Sequence, residues 1–448
     1  MTESDESRPD GDGGDADRLD EDLPRRTYLK AAVAVGGTAG LSACLGELSG
    51  EDTPEPIPTG DGPDANPDRQ HAWNEFVRRD DDGNTLLPRH QVLLYCNLPG
   101  EGPPSTETRE TVRAALDDLD RAFAWSHEGL LHSVGYSPAY FDRFEAALPE
   151  SIDLPRPEPL SAFETPTFDE QDLLVHLASD RPDALLQAEE ALRGNRETAN
   201  GTTVQPITEA VEVDDRRTGF VGAGLPRERA EGLEGVPDDN PVPERSPLFM
   251  GFTAGFAGNQ ASESSVTIRR GPFAGGTTKS VGNWRQRLAD WYEEQSFEER
   301  VMELFSPQHA ERDLVEGVGE NLGSDSGIDQ FLDDLPAVAE QFGRIGHAQK
   351  AARANRDEEG NVRLLRRHFE STDGDVASLH FPSLQRGITA FEEVRKAMNG
   401  TDVTDATPAV RQRVNNGILE YIFVRNRGYF LVPPRSLRAL PTPDGAAG

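Results

Sequence analysis

The sequence has few cysteines and few basic residues, and both shortages restrict what the protein can be. Only two cysteines, Cys44 and Cys96, occur among 448 residues, so neither a disulfide framework nor a four-cysteine metal site is possible. Lysine and arginine together number 45 against 80 aspartates and glutamates, which gives a net charge of −35. Because no basic stripe offsets this charge, we expect no nucleic-acid binding. The sequence also lacks a P-loop, a dinucleotide-binding fingerprint and a recognisable Ser/His/Asp arrangement.

The acidic residues are spread along the whole chain rather than collected in a tail. Aromatic residues still make up 7% of the sequence, so the composition is not that of a disordered acidic protein. A densely carboxylated surface is typical of folded proteins that work at high salt, where screening weakens the repulsion between like charges. We therefore expect a folded protein whose length suffices for two or three ordinary domains.

The N-terminus has the pattern of an export signal. Arg25 and Arg26 precede a short apolar stretch that ends in "LSAC" at Cys44. The stretch is too short to span a membrane as a helix and has basic residues only upstream. Its form resembles a twin-arginine signal with a lipobox, which implies the twin-arginine translocase as partner and a lipid on Cys44. We expect anchoring to the outer face of the cytoplasmic membrane; the alternative is a chance basic and apolar start.

Composition and hydrophobic periodicity divide the chain into five segments. Residues 1–44 are the predicted signal, and residues 45–85, rich in Pro, Gly and Asp, a disordered acidic linker. Residues 86–221 have predicted elements in the order β-α-β-β-α-β, which is that of a ferredoxin-like unit. Residues 222–247 are a connecting loop, and residues 248–440 repeat the mixture. We expect two related α+β halves packed sheet to sheet around one core.

Several fragments resemble, in the correct order, the dye-decolorizing (DyP-type) haem peroxidases, a family that includes exported iron-uptake deferrochelatases. The resemblance covers roughly residues 90–435. It rests on "GLLHSVGYSPAYFDRF" (129–144), "GFTAGFAGN" (251–259), "GGTTKSVGNWRQRLADW" (275–291), "GHAQKAARANR" with "RLLRRHF" (346–369) and "GYFLVPP" (428–434). What it implies is an α+β fold of two ferredoxin-like halves, of the dimeric α/β-barrel type and packed sheet to sheet, with haem b in the C-terminal half. It also implies oxidation of a small reductant by hydrogen peroxide.

The same resemblance nominates residues for a haem site. His347 takes the place of the ligand of the iron, the alternative being an inert histidine near a helix end. Arg366 matches an arginine that assists peroxide cleavage; a surface or propionate-paired arginine is the other interpretation. Arg285 matches a partner of a haem propionate, against the alternative of an ordinary exposed residue. His368 takes the place of a glycine, and we expect its side chain to face solvent, the alternative being a position that projects toward the pocket.

The main departure from the family pattern lies in "GFTAGFAGN". The aspartate that transfers protons in the family falls at Ala254, whose methyl group cannot do so. Phe252, Gly255 and Asn259 persist, and we expect them in the wall of the pocket. Three functions stay open: a DyP-like peroxidase, a catalytically impaired haem- or iron-binding surface lipoprotein, and a haem-free scaffold. Each of them is compatible with a homo-oligomer.

Overall fold

The computed structural model describes residues 55–333, 335–400 and 408–446. Arg25, Arg26 and Cys44, on which the predicted export signal and lipid anchor depend, lie outside these residues. Within the described ranges, every helix is too short or too polar to cross a bilayer.

The N-terminal half contains four antiparallel strands with helices between them. Its strands are β1 (His90–Asn97), β2 (Leu131–Tyr136), β3 (Leu173–Ser179) and β4 (Glu212–Phe220), and its helices are α1 (Thr106–Ala122), α2 (Pro138–Phe141) and α3 (Pro182–Leu192). Ser105 starts α1 by accepting a hydrogen bond from the backbone N–H of Thr108 at 3.0 Å. The spatial order of the strands is β4-β1-β3-β2, as in a ferredoxin-like unit.

The C-terminal half has the same arrangement with more helices. Its main strands are β5 (Thr277–Gln286), β6 (Phe369–Ser371), β7 (Ser378–Gln385) and β8 (Ile422–Val432), and the two-residue strand Leu365–Arg366 also pairs with β7. They lie in the order β6-β7-β5-β8. When the strands of each half are counted along the chain, both halves have the same spatial order, 4-1-3-2. The helices are α4 (Leu225–Arg229) in the connecting segment, then α5 (Leu288–Glu293), α6 (Phe297–Leu304), α7 (Pro307–Glu311), α8 (Leu335–Phe342), α9 (His347–Ala354) and α10 (Ile388–Ala397).

The two four-stranded sheets join at both edges and enclose an apolar core. Glu370 of β6 pairs with Phe220 of β4, and Leu431 of β8 pairs with Tyr136 of β2. Residues from both sheets pack between them, namely Leu93, Tyr95, Leu174, Val281, Phe369 and Phe430. The fold is therefore α+β with two ferredoxin-like halves packed sheet to sheet, as the sequence predicted.

Residues 55–85 pack against the two halves, which corrects the predicted disordered linker in this range. Trp73 is 2% exposed, and the Gln70 side chain donates hydrogen bonds to the carbonyl oxygens of Val134 and Pro433 at 3.2 and 2.9 Å. Pro and Gly form turns here without apolar periodicity, whereas single side chains such as Trp73 provide the burial. A prediction based on periodicity therefore misses the packing.

A buried ion cluster ties α1 to the segment that follows β8. Asp120 is 1% exposed and lies 3.0 Å from Arg435 Nη1, 2.7 Å from Arg438 Nη1 and 2.9 Å from His132 Nε2. Burial alone raises the pKa of Asp120, but His132 and the two arginines hold it well below its usual range. Since Asp120 and His132 belong to the N-terminal half, the cluster connects both halves of the fold.

We expect Asp120→Asn to lower the free energy of unfolding by about 3–5 kcal/mol, because buried cations then lose their counter-charge. Chemical denaturation at neutral pH measures the change. Glu110→Gln on the exposed face of α1 is the matched control and should change stability by less than about 0.5 kcal/mol. Equal stability of the two variants would show that the cluster contributes nothing to folding.

Candidate functional site

A deep cavity lies in the C-terminal half between the outer face of β5 and β7, helix α9 and the loop 248–260. It contains about 1070 Å³ of empty space, including the part that opens to solvent. The walls are mainly apolar and include Met250, Phe252, Trp284, Phe305, Leu379 and Phe381.

His347 is the first residue of α9, and its side chain lines the cavity. The chain reaches this position through Gly346, where a Cβ would collide with the carbonyl oxygen of Phe305. Gly417 packs on the other side with a φ of +61°, and a Cβ there would lie 2.9 Å from the His347 backbone nitrogen. Two glycines thus allow the close packing that fixes where the imidazole stands.

The imidazole of His347 is neutral and has no hydrogen-bond partner among the described residues. Burial, together with the positive charges of Lys350, Arg366 and Arg395, lowers the pKa of His347 to about 3. A neutral imidazole with a free nitrogen is the form that binds a metal ion. In the described part of the chain no carboxylate forms an ion pair with it, so it lacks the acidic partner that strengthens many histidine ligands.

Alanines keep the α9 side of the cavity flat. Ala348, Ala351 and Ala352 follow His347 along the helix and line the same wall. Positions three and four apart share one face of a helix, and none of these side chains extends beyond Cβ. The cavity is therefore wide next to the imidazole.

Arg366, His368 and Glu370 enter the cavity from the sheet. Alternate residues of an extended chain point to the same face, and Arg367 accordingly points to the opposite one. The predicted solvent-facing position of His368 is therefore wrong. Its ring is stacked on Phe381 with centroids 6.0 Å apart, which holds it in the cavity wall.

Arg366 brings a positive charge that has no carboxylate partner in the described residues. Its Nη2 donates a hydrogen bond to the carbonyl oxygen of Asn259 at 3.3 Å, and its backbone N–H donates to Gln260 Oε1 at 3.0 Å. Burial lowers the pKa of Arg366 to about 10, so the guanidinium stays charged at neutral pH. A charged, unpaired fork of donors favours an anionic group in the cavity.

His368 and Glu370 have strongly shifted pKa values. Burial and the charge of Arg366 lower the pKa of His368 to about 3, and its Nδ1 is buried without a partner. Burial raises the pKa of Glu370 to about 8, although its oxygens accept hydrogen bonds from Phe249 N at 2.8 Å and Gln286 Nε2 at 2.6 Å. Neither residue was predicted to be functional. Their alternation with Arg366 is the signal that would have identified them.

The loop 251–259 contributes the other predicted residues. Phe252, Gly255 and Asn259 line the cavity, and Gly255 has a φ of +87°, which favours glycine. Asn259 Oδ1 accepts a hydrogen bond from Ser326 Oγ at 2.6 Å and so holds the loop. Ala254 is exposed where the cavity meets a wider groove that it also lines. No acid stands at this position.

Arg285 lies away from the cavity, which corrects its predicted role as a cofactor partner. Its neighbours Trp284 and Gln286 line the cavity, so the alternation along β5 directs Arg285 to the other side. Its Nη2 donates a hydrogen bond to Glu234 Oε1 at 2.7 Å. The motif match located the strand correctly but did not determine which face the arginine occupies.

Comparisons with known proteins agree with this architecture. Residues 88–434 match the model of DUF7405, which is described as a family of unknown function. No curated protein matches the sequence. Among solved structures, the chain is similar to a DypB variant from Rhodococcus jostii RHA1 in complex with heme, with a TM-score of 0.50, 17% identity, and coverage of 83% of this chain and 98% of that chain.

A second similar structure is a DypB variant in complex with manganese, with a TM-score of 0.50 and 18% identity. The match covers 82% of this chain and 96% of the other. At this level of identity the likeness shows the fold. The fold implied by the resemblance to DyP-type peroxidases is thereby confirmed.

We expect Glu370→Gln to change how stability depends on pH. A glutamate whose pKa rises to about 8 on folding loses stabilising effect as the pH rises towards that value. Glutamine does not titrate. The free energy of unfolding of the variant should therefore rise relative to that of the wild type between pH ~5 and ~8, by at most about 1.4 kcal/mol per pH unit. Urea denaturation across this range measures the difference.

The control for this experiment is Glu293→Gln, an exposed position on α5. Its stability should run parallel to that of the wild type at every pH. If the stability of Glu370→Gln depended on pH in the same way as that of the wild type, Glu370 would not be protonated in the folded protein.

Proposed function

The chain belongs to DUF7405, a family of unknown function, and we propose that it binds haem b in this cavity and oxidises a small reductant with hydrogen peroxide. His347 holds the iron and Arg366 assists the cleavage of peroxide. The observation that supports this most is that one cavity contains a neutral imidazole without a partner and a guanidinium without a carboxylate.

The residues present fit a porphyrin. A planar, mainly apolar molecule suits the apolar walls and the flat alanine face of α9. The free imidazole of His347 provides a ligand for iron, and Arg366 provides a counter-charge for an anionic group. Haem, when bound, supplies the redox chemistry. The protein positions the reactants and handles protons.

Proton transfer in this site depends on residues other than an aspartate. Peroxide cleavage needs a group that accepts a proton and a cation that stabilises the departing oxygen. His368 is neutral, has a free Nδ1 and lies two positions from Arg366. Its pKa of about 3 is close to that of an ordinary aspartate, about 3.9. His368 therefore accepts the proton, and Glu370, which is protonated near neutral pH, donates one.

A haem or iron carrier without turnover is the second candidate. Two observations favour it: Ala254 cannot transfer protons, and no carboxylate is paired with His347 in the described residues. An imidazole without such a partner donates less charge to iron. Failure to bind haemin would leave only the third candidate, a scaffold.

Titration of the full chain with haemin tests the proposal. We expect one equivalent to bind and produce a sharp absorption band, and we expect His347→Gln to abolish it because the iron ligand is lost. His127→Gln, whose histidine lies 2.9 Å from Asp180 in the N-terminal half, is the matched control and should bind normally. An unchanged spectrum in His347→Gln would reject both haem-based candidates.

Addition of peroxide to the loaded protein then separates peroxidase from carrier. A peroxidase oxidises a dye and slows by roughly 10²–10⁴-fold in His368→Gln, as expected for loss of general acid–base catalysis. A carrier does not oxidise the dye, with or without the His368→Gln change. In that case Ala254→Asp should introduce peroxidase activity. Haem binding should be retained in both variants, which a general disruption of the cavity would not allow.

Export and lipid anchoring complete the proposal. Their support is the sequence pattern around Arg25, Arg26 and Cys44. We expect Cys44→Ser to release the protein from the membrane fraction of its native host, as measured by fractionation. Retention of the variant in the membrane would reject the anchor without affecting the haem site.

A further inference from the structure

A second, smaller cavity lies between the two sheets, on the side of β6 opposite the first site. It has room for one group of about the size of a water molecule. Among the residues that the structure describes, no acidic side chain lines it. Its polar lining consists of His71, Trp73, Ser133, His176, Lys279 and Arg367.

Lys279 is 5% exposed and has only neutral partners. Its Nζ donates hydrogen bonds to Ser133 Oγ at 2.8 Å and to His176 Nδ1 at 3.4 Å. Gln91 determines that the proton of the His176 ring is on Nε2, so that Nδ1 can accept. Gln91 Nε2 donates to the carbonyl oxygen of Pro88 at 2.6 Å, and Gln91 Oε1 therefore accepts from His176 Nε2 at 2.8 Å. The third N–H of the charged lysine thus has no acceptor among the described residues.

Two further groups on this cavity are buried without partners. Arg367 Nη2 pairs with Glu263 Oε1 at 2.6 Å, but Arg367 Nε has no acceptor. His71 Nδ1 also has no partner, while its Nε2 lies 2.9 Å from Thr267 Oγ1. The single hydroxyl proton of Thr267 goes either to His71 Nε2 or to the carbonyl oxygen of Glu263 at 2.6 Å. The shorter contact is the one to the carbonyl oxygen, so His71 Nε2 donates to Thr267 Oγ1 and His71 Nδ1 is left as an acceptor.

The charges around this cavity do not balance. When Lys279 is protonated, it and Arg367 are two cations, and Glu263 is the one carboxylate paired with either of them in the described residues. Burial and the charge of Arg367 lower the pKa of Lys279 to about 7. An uncompensated buried charge is unfavourable, and a bound counter-ion removes that penalty.

We propose that this cavity binds a halide ion, chloride in solution. The ion accepts hydrogen bonds from Lys279 Nζ and Arg367 Nε and neutralises the excess positive charge. The small volume excludes phosphate and sulfate. Lys279 lies on β5 and His176 on β3, so the ion links the two halves. The inference does not depend on haem, and the surface composition typical of high-salt proteins makes chloride the abundant candidate.

Thermal unfolding of the full chain at constant ionic strength tests the proposal. Chloride or bromide replaces gluconate, an anion too large for the cavity. We expect the melting temperature to rise saturably by about 2–4 °C with halide, and Lys279→Met to abolish this rise. Lys396→Met, at a half-exposed lysine on α10, is the control and should retain it. A wild-type melting temperature independent of halide would overturn the proposal.

Crystals grown in bromide give a test that needs no variant. We expect an anomalous peak within hydrogen-bonding distance of Lys279 Nζ and Arg367 Nε. A water molecule at this position without anomalous signal would overturn the proposal, even if halide stabilised the protein elsewhere.

Discussion

Side chains alternate along residues 366–370, and this alternation separates two chemically different compartments. Arg366, His368 and Glu370 face the large cavity, whereas Arg367 and Phe369 face the space between the sheets. Because the period of a strand is two, a shift by one residue would exchange every one of these environments. The pairing of Phe369 with His380 of β7 and of Glu370 with Phe220 of β4 sets the register. The candidate site therefore depends on the same contacts that join the two halves.

Each compartment contains a positive charge that no carboxylate pairs with in the described part of the chain, although the chain carries a net charge of −35. Acidic residues are easily accommodated at the surface, where water and salt screen them. Inside the protein, Arg366 on one side of the sheet and Lys279 on the other have only neutral partners among the described residues. Unpaired buried cations are unfavourable unless an anion joins them. This shared feature indicates anionic ligands or cofactor groups at both places.

Much of the fold can be predicted from the sequence because it rests on local periodicity. The alternation of short strands with helices such as α1 and α3 identified the first ferredoxin-like unit, and the ordered motifs of the family identified the second. The ordered motifs placed His347 and Arg366 correctly on one cavity. The prediction was wrong wherever a residue's environment depends on tertiary contacts. Arg285 needed the strand face to be known, His368 needed its stacking on Phe381, and Trp73 needed a binding surface formed by distant strands.

Ala254 lies in a loop whose form does not depend on its side chain. Gly255 adopts a left-handed conformation, and Asn259 Oδ1 accepts a hydrogen bond from Ser326 Oγ, which holds the loop beside the cavity. The methyl group of Ala254 therefore leaves this part of the wall without a titratable group. The titratable groups of the cavity stand on the sheet, where ring stacking and hydrogen bonds hold them. A group that gives or takes a proton in this cavity has to come from the sheet rather than from this loop.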